Sequence, residues 1–292
     1  MKVFIYERYS RLILIFILLF ILFIFPLNST ADAEIPKEQV ISLGEVESMA
    51  LDVKFGIGGL NLGHGEDSIF KGNFHYKNGI LKPQIHYGIF EKKGILDLSQ
   101  SINKNIGFMF SLQNIWDLKL PVNIPLKINI NAATYNGNID LSNLQVEEFS
   151  LITGASSTNI LFNQPNKVNL KKINIKTGAS TLSISGLANA NFDKMDFKGG
   201  AGLYTFDFSG SLRKKSEIKI DVGASKVVLK IPYSFGTRIK FPRFPTVNSE
   251  VTGFIKINEQ VYVNQEYGKR KEELDIEING AFLNVEVVSL TN

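Results

Sequence analysis

The sequence predicts an all-β chain folded as a parallel β-solenoid of about 22–24-residue coils, with a small antiparallel β-meander near its N-terminus. Three observations carry this. A Gly-Ala pair recurs at a nearly fixed interval, apolar residues alternate with period two on both sides of it, and no long 3.6-residue apolar stripe follows residue 47.

The pairs are Gly154-Ala155, Gly178-Ala179, Gly200-Ala201 and Gly223-Ala224, spaced by 24, 22 and 23 residues. Five and three residues before each glycine stand Phe149 and Leu151, Ile173 and Ile175, Met195 and Phe197, Ile218 and Ile220. After it come Ile160 and Phe162; Leu182 and Ile184; Tyr204, Phe206 and Phe208; Val227, Leu229 and Ile231. Period two is the mark of a strand that buries one face. The template extends to anchors at Ala133, Asn279 and Gly58, giving seven units. One unit cannot bury its apolar face alone, so the coils must stack with like strands in parallel ladders. At the corner, glycine allows a sharp turn or φ > 0 and alanine keeps the coils close. Ser180 is expected near the surface. Between the buried positions lie Ser150, Asn174, Asp196, Lys219 and Asp275, a polar outer face.

Two insertions interrupt the array. Ile69 to Tyr76, Gln84 to Phe90 and Ile95 to Ser99 read as a meander with turns at Asn78-Gly79 and Lys93-Gly94. Residues 232–273 carry Phe235, Phe241, Phe244, Phe254, Tyr262 and Tyr267. This aromatic insertion reads first as a cap over the open solenoid end and second as a partner surface formed by Phe235, Phe241, Phe244, Tyr262 and Tyr267. As a cap it would bury Phe241 and Phe244 against Leu229, Ile231 and the strand around Ile276.

The N-terminus reads as an export signal. Lys2, Arg8 and Arg11 precede an apolar run from Leu12, Pro26 closes it, and Ala31 and Ala33 form an A-x-A site. The expected organisation is a signal peptide or membrane anchor at 1–33, a linker at 34–46, an N-terminal β region at 47–125 and the solenoid at 126–292. The module is then exported, outside the cytoplasmic membrane, and touches membrane only through residues 12–27 if the signal is retained. No cysteine is present, so burial alone must hold the fold. Without residues 1–33 the chain keeps 29 basic and 26 acidic residues. The basic triplets Arg213-Lys214-Lys215 and Lys269-Arg270-Lys271 are isolated, so nucleic acid is not an expected partner. An envelope protein or a cell-wall polymer is.

Catalytic signals are weak, and neither an enzyme nor a cofactor is expected. His64 lies in a loop, while His75 and His86 sit on predicted neighbouring strands and read as surface residues rather than metal ligands. Asp193, Asp196, Asp207 and Asp221 recur near the repeats, which suits a polysaccharide-cleaving solenoid only if two carboxylates stack on adjacent coils. Asp196 aligns instead with Asn174 and Lys219, and Asp207 with Leu161, Ser185 and Lys230. Gly56-Ile57-Gly58-Gly59 leads into a strand, so it presents no helix N-terminus to a phosphate.

Three stretches resemble a known family. "FKGNFHYKNGILKPQIHYGIFEKKGILDLSQ" (Phe70 to Gln100), "NIWDLKLPVNIPLKININ" (Asn114 to Asn131) and the Gly-Ala repeats ending in "VYVNQEYGKRKEELDIEING" (Val261 to Gly280) resemble the toast-rack family of bacterial proteins. The chain also shares features with the outward-facing domain of LiaF-type envelope stress proteins, without their multi-helix membrane domain. The resemblance implies a β-solenoid and an envelope location, and it brings no catalytic residues. The function it leads to is a non-catalytic extracytoplasmic binding or scaffold module in envelope stress or wall maintenance. The alternative is an adhesin-like carbohydrate-binding or polysaccharide-processing solenoid.

Overall fold

The computed structural model describes residues 37–76, 81–100, 114–241 and 247–290. Most of them are strand, with one short 3-10 turn at Leu187–Ala190. In chain order these are β1 (Lys37–Ser42), β2 (Ser48–His64), β3 (Ile69–Tyr76), β4 (Pro83–Phe90), β5 (Lys93–Gln100) and β6 (Asn114–Leu120). Then follow β7 (Pro125–Asp140), β8 (Gln145–Leu161), β9 (Leu170–Ser185), β10 (Phe192–Gly199), β11 (Gly202–Asp207) and β12 (Ser216–Pro232). Last are β13 (Gly236–Lys240), β14 (Val247–Val251), β15 (Ile255–Lys256), β16 (Val261–Val263) and β17 (Glu273–Leu290).

The long strands stack in parallel and in register, as the repeat predicts. β7 pairs with β8, β8 with β9, β9 with β10 and β11, and these with β12. Each long strand runs through its corner, glycine in β2, β8, β9 and β12 and alanine in β7 and β17, giving one arm before it and one after. Alternate side chains on both arms point inward, so Phe149, Phe162, Phe192, Phe197, Phe206 and Phe208 share one continuous core. Burial on this scale replaces the absent disulfides.

The corner glycines are explained by distance and not by φ. None of Gly154, Gly178, Gly200 and Gly223 has a positive φ. A Cβ on Gly178 would stand 2.5 Å from the Gly154 carbonyl oxygen, and one on Gly200 would stand 2.5 Å from that of Gly178. The Gly200 N–H donates to that same Gly178 oxygen at 3.0 Å, so the coils are drawn together where a side chain cannot fit. Gly58 is different, with φ +134° and Asn114 O 2.1 Å from a Cβ position. Ser180, expected near the surface, is buried, and its hydroxyl accepts a hydrogen bond from Thr177 Oγ1.

The two end units sit two residues away from their expected anchors. Phe55 pairs with Ala132 and Ile57 with Thr134, so Gly56 and not Gly58 is level with Ala133. Val222 pairs with Gly280 and Ala224 with Phe282, which sets Ala281 and not Asn279 level with Gly223.

Both ends are built out of chain order. β2 lies between β7 and a level made of β5 and β6. β17 lies between β12 and a level made of β13 and β14. Among the described residues the stack therefore has nine levels, and the boundary expected at 125/126 marks no break in it. Antiparallel strands close the ends: β4 on β5, and β3 on β6 with β1 beyond it, at one; β16 on β13 with β15 beyond it, at the other. The stretch expected as a linker, 34–46, thus contributes β1. The antiparallel region lies where the meander is expected, but β5 and β6 also serve as solenoid arms. The β4–β5 turn falls at Glu91-Lys92, both with positive φ, two residues before the expected Lys93-Gly94. Asn78-Gly79 lies outside the described residues.

Candidate functional site

The solenoid presents two outer faces, one on each arm, and their side chains form columns because the register holds along both arms, apart from one shift between Leu126 and Lys127 at the start of β7. On the arm before the corner one column reads Lys127, Glu148, Lys172, Lys194, Glu217, Asp275 and Arg238. Its neighbour reads His86, Asp97, Asp52, Asn129, Ser150, Asn174, Asp196, Lys219, Glu277 and Lys240. Charges here are largely spent on one another. Lys127 meets Glu148 at 2.6 Å, and Asp196 lies 2.9 Å from Lys172 and 3.6 Å from Lys194. Burial pushes the Asp196 carboxyl up, but the two lysines outweigh it and hold it below its ordinary range.

On the arm after the corner the columns are different in kind. One reads Gly59, Asn136, Ser157, Thr181 and Leu203; the next reads Asn61, Asn138, Asn159, Ser183 and Thr205. No formal charge occurs at these ten positions. Asp117 bounds the second column at one end, while Lys226 and Glu286 close the two columns at the other. A chain of amides runs along the second column: Asn159 Nδ2 donates to Asn138 Oδ1 at 3.1 Å, Asn138 Nδ2 to Asn61 Oδ1 at 3.4 Å, and Asn61 Nδ2 to Asp117 Oδ1 at 2.7 Å.

The aromatic insertion resolves into core and clamp. Phe235 and Phe241 are buried, so they are not a free partner surface, which corrects that half of the expectation. Tyr262 is half-buried, its ring edge-on to Phe241 with centroids 5.5 Å apart. Phe244 lies outside the described residues. Tyr267 joins a dense polar cluster in which Asp275 meets Lys215 at 2.6 Å and Arg238 at 2.7 Å and accepts the Tyr267 hydroxyl at 3.3 Å. Both cations lie over the Tyr267 ring. The bond to Asp275 holds the Lys215 ammonium above its usual range, and burial, followed by the Asp275 charge, raises the Tyr267 phenol. These groups satisfy one another. They fasten the 264–272 loop across β12, β17 and β13 rather than converge on open space.

The histidines do not meet. His75 lies opposite Ile115 on β6, and His86 lies opposite Asp97 on β5. Among the described residues no three His, Asp or Glu side chains are grouped to hold a metal. Asp196 lies between Asn174 and Lys219, as its spacing predicts. A stacked carboxylate pair does exist elsewhere: Asp97 and Asp52 occupy adjacent levels in one outward column. Sequence reasoning missed it because it placed β5 in a meander instead of on β2. Also missed were Asn166 and Asn189, buried on the loop side. Asn166 Nδ2 donates to Val146 O, its Oδ1 accepts from Val146 N, and Asn189 Nδ2 donates to Phe162 O. Their 23-residue separation, equal to the coil length, was the available signal.

This architecture is that of a parallel β-solenoid with two laddered outer faces. The family model for the N-terminal domain of toast_rack (DUF2154) matches residues 28–185, more than half the chain. The chain belongs to the toast-rack family. No curated protein matches it. Among solved structures it is similar to a protein from Clostridium sporogenes provisionally described as a cell adhesion protein, at 23% identity and TM-score 0.48, over 87% of this chain and 100% of that one. It is also similar to two proteins provisionally described as adhesins. That of Bacteroides fragilis has 10% identity and TM-score 0.30 over 88% and 98% of the two chains; that of Parabacteroides merdae has 13% and 0.32 over 88% and 94%.

Proposed function

We propose that the chain is a non-catalytic binding or scaffold module that works outside the cytoplasmic membrane, in envelope stress or wall maintenance, with an envelope protein or cell-wall polymer as partner. The observation that carries this reading is the pair of broad laddered faces, one with its charges paired along the stack and the other with two uncharged columns. Such a surface suits an extended partner and offers no nucleophile held by a base. The basic, apolar and small-residue order of the first 33 residues supports export. Fractionation of cells producing the full chain, followed by capture from intact envelopes, tests the proposal. Protein found in the cytoplasm and retaining no envelope component would end it.

One observation favours a second reading, a polysaccharide-cleaving solenoid. Asp97 and Asp52 stack on adjacent levels, about 4.8 Å apart along the ladder, close to the carboxyl separation of retaining glycosidases at roughly 5 Å. Loss of reducing-end release on Asp52→Asn and Asp97→Asn would establish it. An inactive unmodified chain, assayed on wall polysaccharide, would leave the binding module.

A further inference from the structure

We infer that the two uncharged columns on the arm after the corner bind a neutral, extended polysaccharide chain laid along the solenoid axis, about one sugar residue per level. The inference rests on the binding-module reading and names the ligand class and the face. Five consecutive levels, from β2 to β11, contribute ten outward positions without a formal charge. Over the same levels the other arm carries Asp52, Lys54, Lys127, Glu148, Lys172, Lys176, Lys194, Asp196 and Lys198. The third outward column of the same arm holds Asp140 and Asp207, so neutrality is local to these two columns and is a property neither of the arm nor of the chain.

The neutral tract is also pre-organised. The Asn159–Asn138–Asn61–Asp117 chain fixes three amide planes in one orientation and uses one N–H of each. An Asn amide has two donors, so the second N–H of each remains for a ligand, and ordering costs have already been met by the ladder. Beside them Asn136 and Thr181 are exposed and Ser157 half-exposed, presenting a parallel row of amide and hydroxyl groups. Exposed Ile115 and Leu203 stand at the two ends of that row and can pack on the apolar face of a sugar ring.

The repeat matches the ligand class. Levels recur at about 4.8 Å, so five span about 19 Å, and donors return at nearly the interval of sugar residues in an extended β-linked chain. A phosphate- or carboxylate-bearing polymer would find no cation within the tract. Its charges would instead meet Asp117 at one end and, at the other, Lys226, already held by Glu286 at 2.7 Å.

The test is titration of the full chain with chito- and cello-oligosaccharides of two to eight residues, with polyphosphate as the anionic comparison. Affinity is expected to climb with length and level off near about five residues, the number of levels in the tract. Thr181→Lys and, independently, Ser157→Lys should weaken it at least about tenfold with an unchanged unfolding midpoint, and Asn131→Lys on the other arm should not. Binding with no length dependence, tighter binding of polyphosphate, or both lysine variants binding like the parent overturns the inference. If no neutral oligosaccharide binds while the chain still captures envelope material, the inference fails and the module reading survives. If neither binds, both fail.

Discussion

At the scale of the residue, the corner glycines separate two reasons for using glycine. φ at Gly178 is one that any residue adopts, and what excludes a side chain is the Gly154 carbonyl 2.5 Å from the Cβ position. The obstacle is backbone held by ladder bonds and cannot rotate away. Gly178→Ala is therefore expected to cost about 1–3 kcal/mol, and Gly178→Val more. Thr181→Val, exposed and outside the corner, should stay within about 0.5 kcal/mol of the parent. Chemical-denaturation midpoints check this, and equal midpoints for Gly178→Ala and Thr181→Val would mean that the coils can separate at the corner. The spacing of the Gly-Ala pairs was fully legible in the sequence. The reason for them was not, because a close approach between residues 24 apart has no local signature. The aromatic insertion gives a second residue-scale prediction. Phe241 is buried against Tyr262 and the core, so Phe241→Ala should lower stability by about 3 kcal/mol, read as a shifted unfolding midpoint. An unchanged midpoint would return Phe241 to the partner surface.

At the scale of the element, the strand's period is legible in the sequence and its register is not. A slip of one residue would turn every apolar side chain outward and betray itself. A slip of two is silent, since Val53 and Phe55 alternate as well as Leu51 and Val53 do, and so the expected anchors of the end units fall two residues away. A different misplacement hides the candidate chemistry: β5 reads as part of a meander, and stacking it on β2 is what brings Asp97 beside Asp52. Register also decides which charges meet, and the bridge Lys172–Asp196–Lys194 joins β9 to β10 through it. The Asp196 carboxyl is held below its usual range when folded, despite the opposing effect of burial. A group with a depressed folded pKa stabilises the fold above its unfolded value, near about 3.9, and that contribution disappears as pH falls through the folded value. Asp196→Asn should therefore be less stable than the parent at neutral pH, by up to about 1 kcal/mol for so accessible a bridge. The two should converge in strong acid. A difference that stays constant as pH falls from neutral into strong acid would show that the substitution perturbs packing rather than charge.

At the scale of the whole molecule, order in space departs from order along the chain at both ends. β2 precedes β5 and β6 in sequence yet lies inside them, and β17 follows β13 and β14 yet lies between them and β12. Each end level is thus made from a segment whose own neighbours in the chain have already entered the stack. The arrangement answers the problem set by an open solenoid end. The last parallel edge is formed from short arms, and antiparallel strands such as β4 and β16 cover part of it, which blocks addition of another parallel coil. In a stack where each level touches only its neighbours, stability is close to a sum of level and interface contributions, so opening should proceed from the ends inward. Position in the stack and position in the chain then predict different orders of amide exchange. If the stack governs, residues 236–240 and 247–251 lose protection before 273–290, and 93–100 and 114–120 before 48–64, while β8 and β9 in the middle exchange last. If chain position governs, β17, the last strand in sequence among the described residues, exchanges first. The contacts favour the first order. β17 is paired to β12 from Ser216–Leu274 to Pro232–Leu290 and has β13 and β14 on its other side, whereas β14 pairs only with β17 among the described residues. Hydrogen-exchange mass spectrometry of the folded chain decides between them. Exchange of 273–290 ahead of 236–240 and 247–251 would refute the nearest-neighbour account of this solenoid.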